Sequence, residues 1–339
     1  MKAFVLTGPG RSEVQDLAPP VPMPGEAVID VARVGVCGTD VEFFTGEMQY
    51  LHDGHSKFPL YLGHEWCGTV SAVGADQDDR WVGRRVTGDT MLGCGHCRRC
   101  QSGRHHVCEN RSELGIRGAY RGALAEQFVA PVSSMRALPD TVDDTAGALV
   151  EPGGNAWRSL EAAQLTSGER VLVLGPGTIG LLVAEFARAR GIEVHLGGRS
   201  QSSLDYASSL GFENVWAADD VPSIPYDAVI DASNAPSLPA RAVRLVEPGR
   251  RVVFVGLAGT ASLVDSRELA LKDVTAVGIL GASAGLTGTI EAYASGAVDP
   301  RGLVAATVGL HQAHDVLAGW RPDGAAPGPK LLVDPRVHG

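Results

Sequence analysis

Long unbroken apolar stretches are missing from this sequence. The longest candidate, VLVLGPGTIGLLVA at 171–184, is interrupted by Pro176 and three glycines, whereas a membrane helix needs about 20 apolar residues. A membrane span is therefore not expected. The opening MKAFVLTGPG has one lysine and an apolar run cut by Gly8 and Pro9, too brief for the apolar region of a signal peptide. The expected compartment is the cytoplasm. An excess of positive charge is missing too: the formal net charge is −10, which makes nucleic acid and anionic membranes unnatural partners, though a local basic patch for a phosphate fits such a chain. Internal repeats and low-complexity tracts are absent. What remains, 339 residues of which 44% are hydrophobic and 20% charged, is the composition of a globular protein with a sizeable core, at a length that fits two domains.

Cysteine is scarce and unevenly spread. Four of the six cysteines fall in GCGHCRRCQSGRHHVC at 93–108: Cys94, Cys97, Cys100 and Cys108. In a long chain without a signal peptide, clustered cysteines are metal ligands more often than disulfides. The spacing C-x2-C-x2-C-x7-C offers four thiolates to one centre, the donor set of zinc. A bacterial iron–sulfur run would have a shorter last gap followed by proline. Four protein ligands leave no position for a substrate, so this zinc is structural and the chemistry lies elsewhere.

A second donor set is scattered. Cys37 in GVCGTD, His64 and Glu65 in LGHEWCG, and Glu151 in LVEPGGNAW offer one thiolate, one imidazole and two carboxylates, a mixture typical of a catalytic zinc with one open position. Their separations are too long for the sequence alone to join them. Cys67, nearby, reads as a small packed residue.

The dinucleotide signal is compact. Val171–Leu174 is a continuous apolar run, as in a strand buried on both faces. GPGTIG follows, with Gly175, Gly177 and Gly180 in the G-x-G-x-x-G pattern around Thr178 and Ile179. Ile179, Leu182, Val183, Phe186 and Ala187 then recur on one helical face. Such a strand–loop–helix brings a pyrophosphate to the helix N-terminus. The next strand, IEVHLGGRS, ends on Gly198, Arg199 and Ser200, where an NAD site has a carboxylate for the ribose hydroxyls. A guanidinium and a hydroxyl there suit a 2′-phosphate, which favours NADP over NAD. Further apolar runs at 226–233, 250–259 and 274–282 alternate with helical segments, predicting a parallel, doubly wound sheet. Residues 1 to about 145 are instead short strand-like stretches between Gly and Pro, a β-rich fold.

GVCGTD, GHE, the four-cysteine stretch, the Glu151–Pro152 pair and GPGTIG occur in this order over essentially the whole chain. With them the sequence resembles the zinc-containing medium-chain alcohol/polyol dehydrogenases. Glu151, where the simple alcohol branch has cysteine, is similar to the sorbitol and glucose dehydrogenase branches. The resemblance implies an α/β protein. Its GroES-like catalytic domain would span 1–145 and 300–339 and carry the zinc lobe, and its Rossmann domain 146–299. The site would lie between the domains, with two Zn2+ per chain and a homodimer or homotetramer. It implies that Cys37 and His64 ligate the catalytic zinc, with Glu65 and Glu151 as further ligands. The zinc would activate a secondary alcohol of a polyol, sugar or cyclitol-like substrate for hydride transfer to the cofactor. Thr39 would relay the proton and Asp40 would orient its loop. Glu42 stands where simple alcohol dehydrogenases end the relay on histidine, and Glu113 where glucose dehydrogenases bind a sugar hydroxyl. The rivals are a zinc-independent reductase of conjugated double bonds in the same superfamily and a non-catalytic NADP-binding protein.

Overall fold

The computed structural model describes residues 1–337. Two compact units share the chain: one holds residues 1–151, 281–326 and the segment from 330, the other residues 152–280 with 327–329.

The first unit is built on antiparallel strands. Its main sheet runs Val304–Gly309, Lys330–Asp334, Glu26–Gly35, Glu65–Val73, Arg85–Gly88 and Met135–Ala137, with Gln127–Pro131 also pairing Glu26–Gly35. Only Val304–Gly309 and Lys330–Asp334 run parallel. Alternation puts Ile29, Val31, Trp66 and Phe128 into one core with Phe4, Leu6, Phe43 and Leu62. Glu26–Gly35 sits at the centre, so the start of Glu65–Val73 and the middle of Lys330–Asp334 both come beside Gly35.

The second unit is a six-stranded parallel sheet. Its order is Asn214–Ala217, Glu193–Gly198, Arg170–Leu174, Tyr226–Asp231, Val246–Phe254 and Thr275–Gly278. This is the doubly wound order expected of the sequence, reversing at Arg170–Leu174. Leu172, Leu174, Tyr226, Val229 and Val252 are wholly buried, as parallel strands covered on both faces require.

The unit boundaries fall at 151/152 and 280/281, not at 145/146 and 299/300. The difference lies in the helix Leu286–Ala294, whose buried Tyr293 donates its hydroxyl proton to the Leu149 carbonyl at 3.2 Å. That contact ties the segment after 281 to the first unit. The apolar run at 274–282 yields only a short edge strand, and 250–259 begins its strand earlier, at Val246. No helix among the described residues is long and apolar enough to cross a membrane.

Candidate active site

Cys37, His64 and Glu65 meet in the first unit, each offering a ligand atom within 4.8 Å of the others. Cys37 is the N-cap of the helix Gly38–Thr45, and its backbone N–H donates to Asp40 Oδ2 at 2.9 Å. This loop closure fixes where the thiol points. His64 precedes the strand Glu65–Val73, after Gly63 at φ +99, where a Cβ would lie 2.7 Å from the Leu124 nitrogen. Only glycine permits that backbone and that approach. Asp40 Oδ1 and His64 Nδ1 are 3.5 Å apart, both buried and neither in a hydrogen bond. With Nδ1 turned to Asp40, Nε2 is the nitrogen left for a cation. Burial disfavours the imidazolium, but Asp40 and then Cys37 outweigh it, and the His64 pKa stands well above its ordinary value. The Asp40 carboxylate and the Cys37 sulfur that face this ring are groups that attract a cation. One sulfur, one imidazole and one carboxylate, with orphaned buried polar atoms beside them, fit a zinc ion.

Glu65 has a second partner that sequence reasoning missed. Lys330 Nζ donates to both Glu65 oxygens, at 2.6 and 2.8 Å, and to the Val36 carbonyl at 3.0 Å. Both side chains are almost wholly buried. Gly35 makes the room: a Cβ there would lie 2.1 Å from Glu65 Oε2. Glu65 is thus both a candidate donor and half of a buried ion pair. Glu151 is not a member of the 4.8 Å set. It is buried in the first turn of the helix Val150–Ala163. The half-buried Thr39 follows Cys37 by two residues on its helix. Glu42 is exposed, and its pKa is raised by partial burial and by Glu47.

The four-cysteine lobe closes on itself. Cys94 and Cys100 sulfurs are 4.0 Å apart, Cys97 and Cys108 sulfurs 3.7 Å. Thiolates at about 2.3 Å from a tetrahedral centre stand about 3.8 Å from each other, whereas a disulfide needs about 2.05 Å. The lobe therefore fits one metal ion. Backbone amides of His96 and Cys97 bring Cys94 down to about 6, while desolvation pushes Cys100 up to about 12. His105 Nε2 anchors the lobe to the buried Asp89 at 2.7 Å.

In the second unit the glycine loop has the geometry of a phosphate cradle. Gly175 adopts φ +94, and a Gly180 Cβ would lie 2.0 Å from the Gly175 carbonyl oxygen, so loop and helix touch backbone to backbone. Nothing lies within 4 Å of a Cβ placed on Gly177, the N-cap of Thr178–Ala189. That open face, with the unpaired amides of Thr178, Ile179 and Gly180, receives an anion. Gly198 ends its strand, buried under Pro176. Arg199 is exposed, without a hydrogen-bond or ion-pair partner among the described residues. Ser200 caps the next helix by accepting from the Ser203 amide. A cavity of about 240 Å³, lined by Asp231, Ser233, Phe254, Gly256 and Val264, opens at the ends of the two following strands. Ligands bind at the carboxyl ends of such strands. Asp231 is held above its ordinary pKa by burial, against two hydrogen bonds from Ser233.

Glu113 is neither exposed nor free. Its Oε1 accepts from Arg111 Nε at 2.7 Å and from the Tyr50 hydroxyl at 3.1 Å. Cys67 is buried, its thiol pKa raised by that burial, and it donates to the Asp144 carbonyl at 3.0 Å. It packs, as expected.

Residues 23–140 match the family model of the alcohol dehydrogenase GroES-like domain, and residues 178–295 that of the zinc-binding dehydrogenases. A 2-dehydro-3-deoxy-L-galactonate 5-dehydrogenase of Pseudoalteromonas atlantica is 31% identical over 325 residues, 92% of each chain. Among solved structures, an alcohol dehydrogenase from E. coli CFT073 complexed with NADH superposes at a TM-score of 0.89, with 25% identity, over 98% of this chain and 99% of that one. A zinc-binding dehydrogenase from Sinorhizobium meliloti 1021 bound to NADP superposes at 0.87, with 28% identity, over the same shares.

Proposed function

Because the chain belongs to the zinc-containing medium-chain alcohol/polyol dehydrogenases, we propose that it interconverts a secondary alcohol of a polyol, sugar or sugar acid with its ketone, using NADP. The observation that carries this reading is the convergence of Cys37, His64 and Glu65. Glu151 is the further ligand we assign from its buried place. Zinc held there supplies a Lewis acid that lowers the pKa of an alcohol, and the nicotinamide supplies the hydride acceptor. The chain's own residues do the rest. Asp40 holds the His64 ring, and Lys330 holds Glu65. The Thr39 hydroxyl accepts the proton released by the substrate and passes it toward the cofactor's ribose hydroxyls. The second metal site, Cys94, Cys97, Cys100 and Cys108, is structural. These donor sets speak against a zinc-independent reductase and against a cofactor binder without catalysis.

Gly198, Arg199 and Ser200 support NADP. Arg199 is an unpaired guanidinium where a carboxylate would repel a 2′-phosphate. A sugar-acid substrate is favoured by the relative named for 2-dehydro-3-deoxy-L-galactonate. A second copy of the chain is assigned to the outer edge of Thr275–Gly278. This strand ends the parallel sheet with Thr275, Ala276 and Gly278 exposed and Leu271 88% exposed nearby. Such an edge needs a cover. The reading places the protein in the cytoplasm, where thiols stay reduced.

Metal analysis tests the zinc assignment. The purified protein is expected to hold two zinc ions per chain, and Cys37→Ser one. A single zinc in the parent, confined to the four-cysteine lobe, would support the zinc-independent alternative.

A further inference from the structure

The segment 111–121 runs against the charge of the chain. It contains Arg111, Arg117 and Arg121 and a single acid, Glu113, in a protein of net charge −10. Arg111 is satisfied: it binds Glu113 Oε1 through Nε at 2.7 Å and donates from Nη2 to the Tyr50 hydroxyl at 3.3 Å. Arg121 lies over the Tyr61 ring, 4.2 Å from its centroid. Arg117 is different. Its side chain is only 14% exposed, yet its nearest carboxylate oxygen, already shared with Arg111 and Tyr50, is 4.0 Å away. Its guanidinium stacks over the Tyr50 ring at 5.3 Å, which fixes its plane and leaves its donors unspent. Two guanidiniums thus share one carboxylate, and one positive charge is left over in a largely desolvated place. Asp53, three residues after Tyr50, is exposed and pairs with His55 at 4.0 Å.

This cluster stands beside the metal-ligand loop. Leu114 N–H donates to the Thr90 carbonyl at 2.9 Å, and the Thr90 hydroxyl donates to the His64 carbonyl at 3.3 Å. A Cβ on Gly115 would lie 2.6 Å from the Gly63 oxygen. Ser56 fastens the Tyr50 segment to the same turn through the Ile116 carbonyl, at 2.8 Å.

We propose that Arg117, set by the Tyr50 ring, recognises a carboxylate or phosphate on the substrate, and so makes the enzyme selective for an anionic polyol over a neutral one. A planar fork of donors suits either anion. The proposal rests on the alcohol-oxidising reading of the neighbouring site and names the substrate class.

The experiment measures equilibrium binding of galactitol, galactonate and galactitol 1-phosphate to the zinc-loaded, NADP-saturated protein, with steady-state turnover of each in parallel. The parent is expected to bind at least one anion about ten-fold or more tighter than galactitol, and Arg117→Gln to lose that preference, by about 10–100-fold, with galactitol binding unchanged. Arg117→Lys is expected to keep part of it. Which anion wins separates a carboxylate from a phosphate ligand. A parent without anion preference, or an Arg117→Gln protein that keeps it, would overturn the proposal. Arg117-dependent anion binding with no turnover of any alcohol would instead overturn the dehydrogenase reading and leave the anion site standing.

Discussion

Single residues decide the metal chemistry. His64 carries a proton more firmly than a free imidazole because Asp40 and Cys37 face it, and a metal must displace that proton. Zinc uptake at this site is therefore expected to weaken as pH falls through the raised His64 pKa, by up to ten-fold per unit for each proton displaced. Competition with a chelator across pH reads this directly, and a flat profile would contradict it. His64→Asn is expected to remove this zinc and lower kcat by at least about 100-fold while leaving the structural zinc in place. Lys330 makes a different prediction. Replacing it by Met leaves the Glu65 carboxylate buried without its partner, at a cost of about 3–5 kcal/mol. Adding Glu65→Gln is expected to recover much of this, because no charge is then stranded. Denaturant unfolding of the parent, single and double variants checks both statements, and an additive double variant would mean that the pair does not act as a unit.

Elements decide the cofactor and the assembly. The strand Glu193–Gly198 and the helix Gln201–Ser209 put Arg199 and Ser200 together at one junction. Loss of the guanidinium in Arg199→Ala is expected to raise KM for NADP about 10–100-fold and to leave KM for NAD nearly unchanged. An equal rise for both cofactors would assign Arg199 a structural part only. The edge strand Thr275–Gly278 is exposed along most of its length. A lysine at Ala276 is expected to turn an oligomer into monomers, read as mass in solution, because like charges would then face each other across the pairing edge. An unchanged mass would move the interface elsewhere.

At the scale of the whole molecule, the chemistry was more legible than its supports. The four-cysteine stretch and the glycine loop are runs of special residues, and each run encodes its own geometry, whereas Cys37, His64 and Glu65 are scattered and were joined only by the resemblance. Lys330 itself was not legible. Its partner is 265 positions away, and only the stacking of three strands around Gly35 brings them together. The same holds for Tyr50 and Glu113, 63 positions apart, and it is why the sequence did not show that Glu113 is buried and already paired. The boundary near 281 was hidden because the segment after it is tied to the first unit by side chains distant in sequence, such as Tyr293 on the Leu149 carbonyl and Arg301 on Asp143, which periodicity does not record.

The central claim is zinc-dependent, NADP-linked oxidation of a polyol-type alcohol. Its most direct test is NADP reduction by the zinc-loaded protein across polyols, sugars, sugar acids, cyclitols and simple alcohols, with NAD in parallel and with the metal-stripped protein as control. The account predicts turnover of a polyol or sugar acid, faster with NADP at limiting cofactor and abolished by stripping the metal. Turnover that survives metal removal, or that is confined to conjugated double bonds with NADPH, would contradict it.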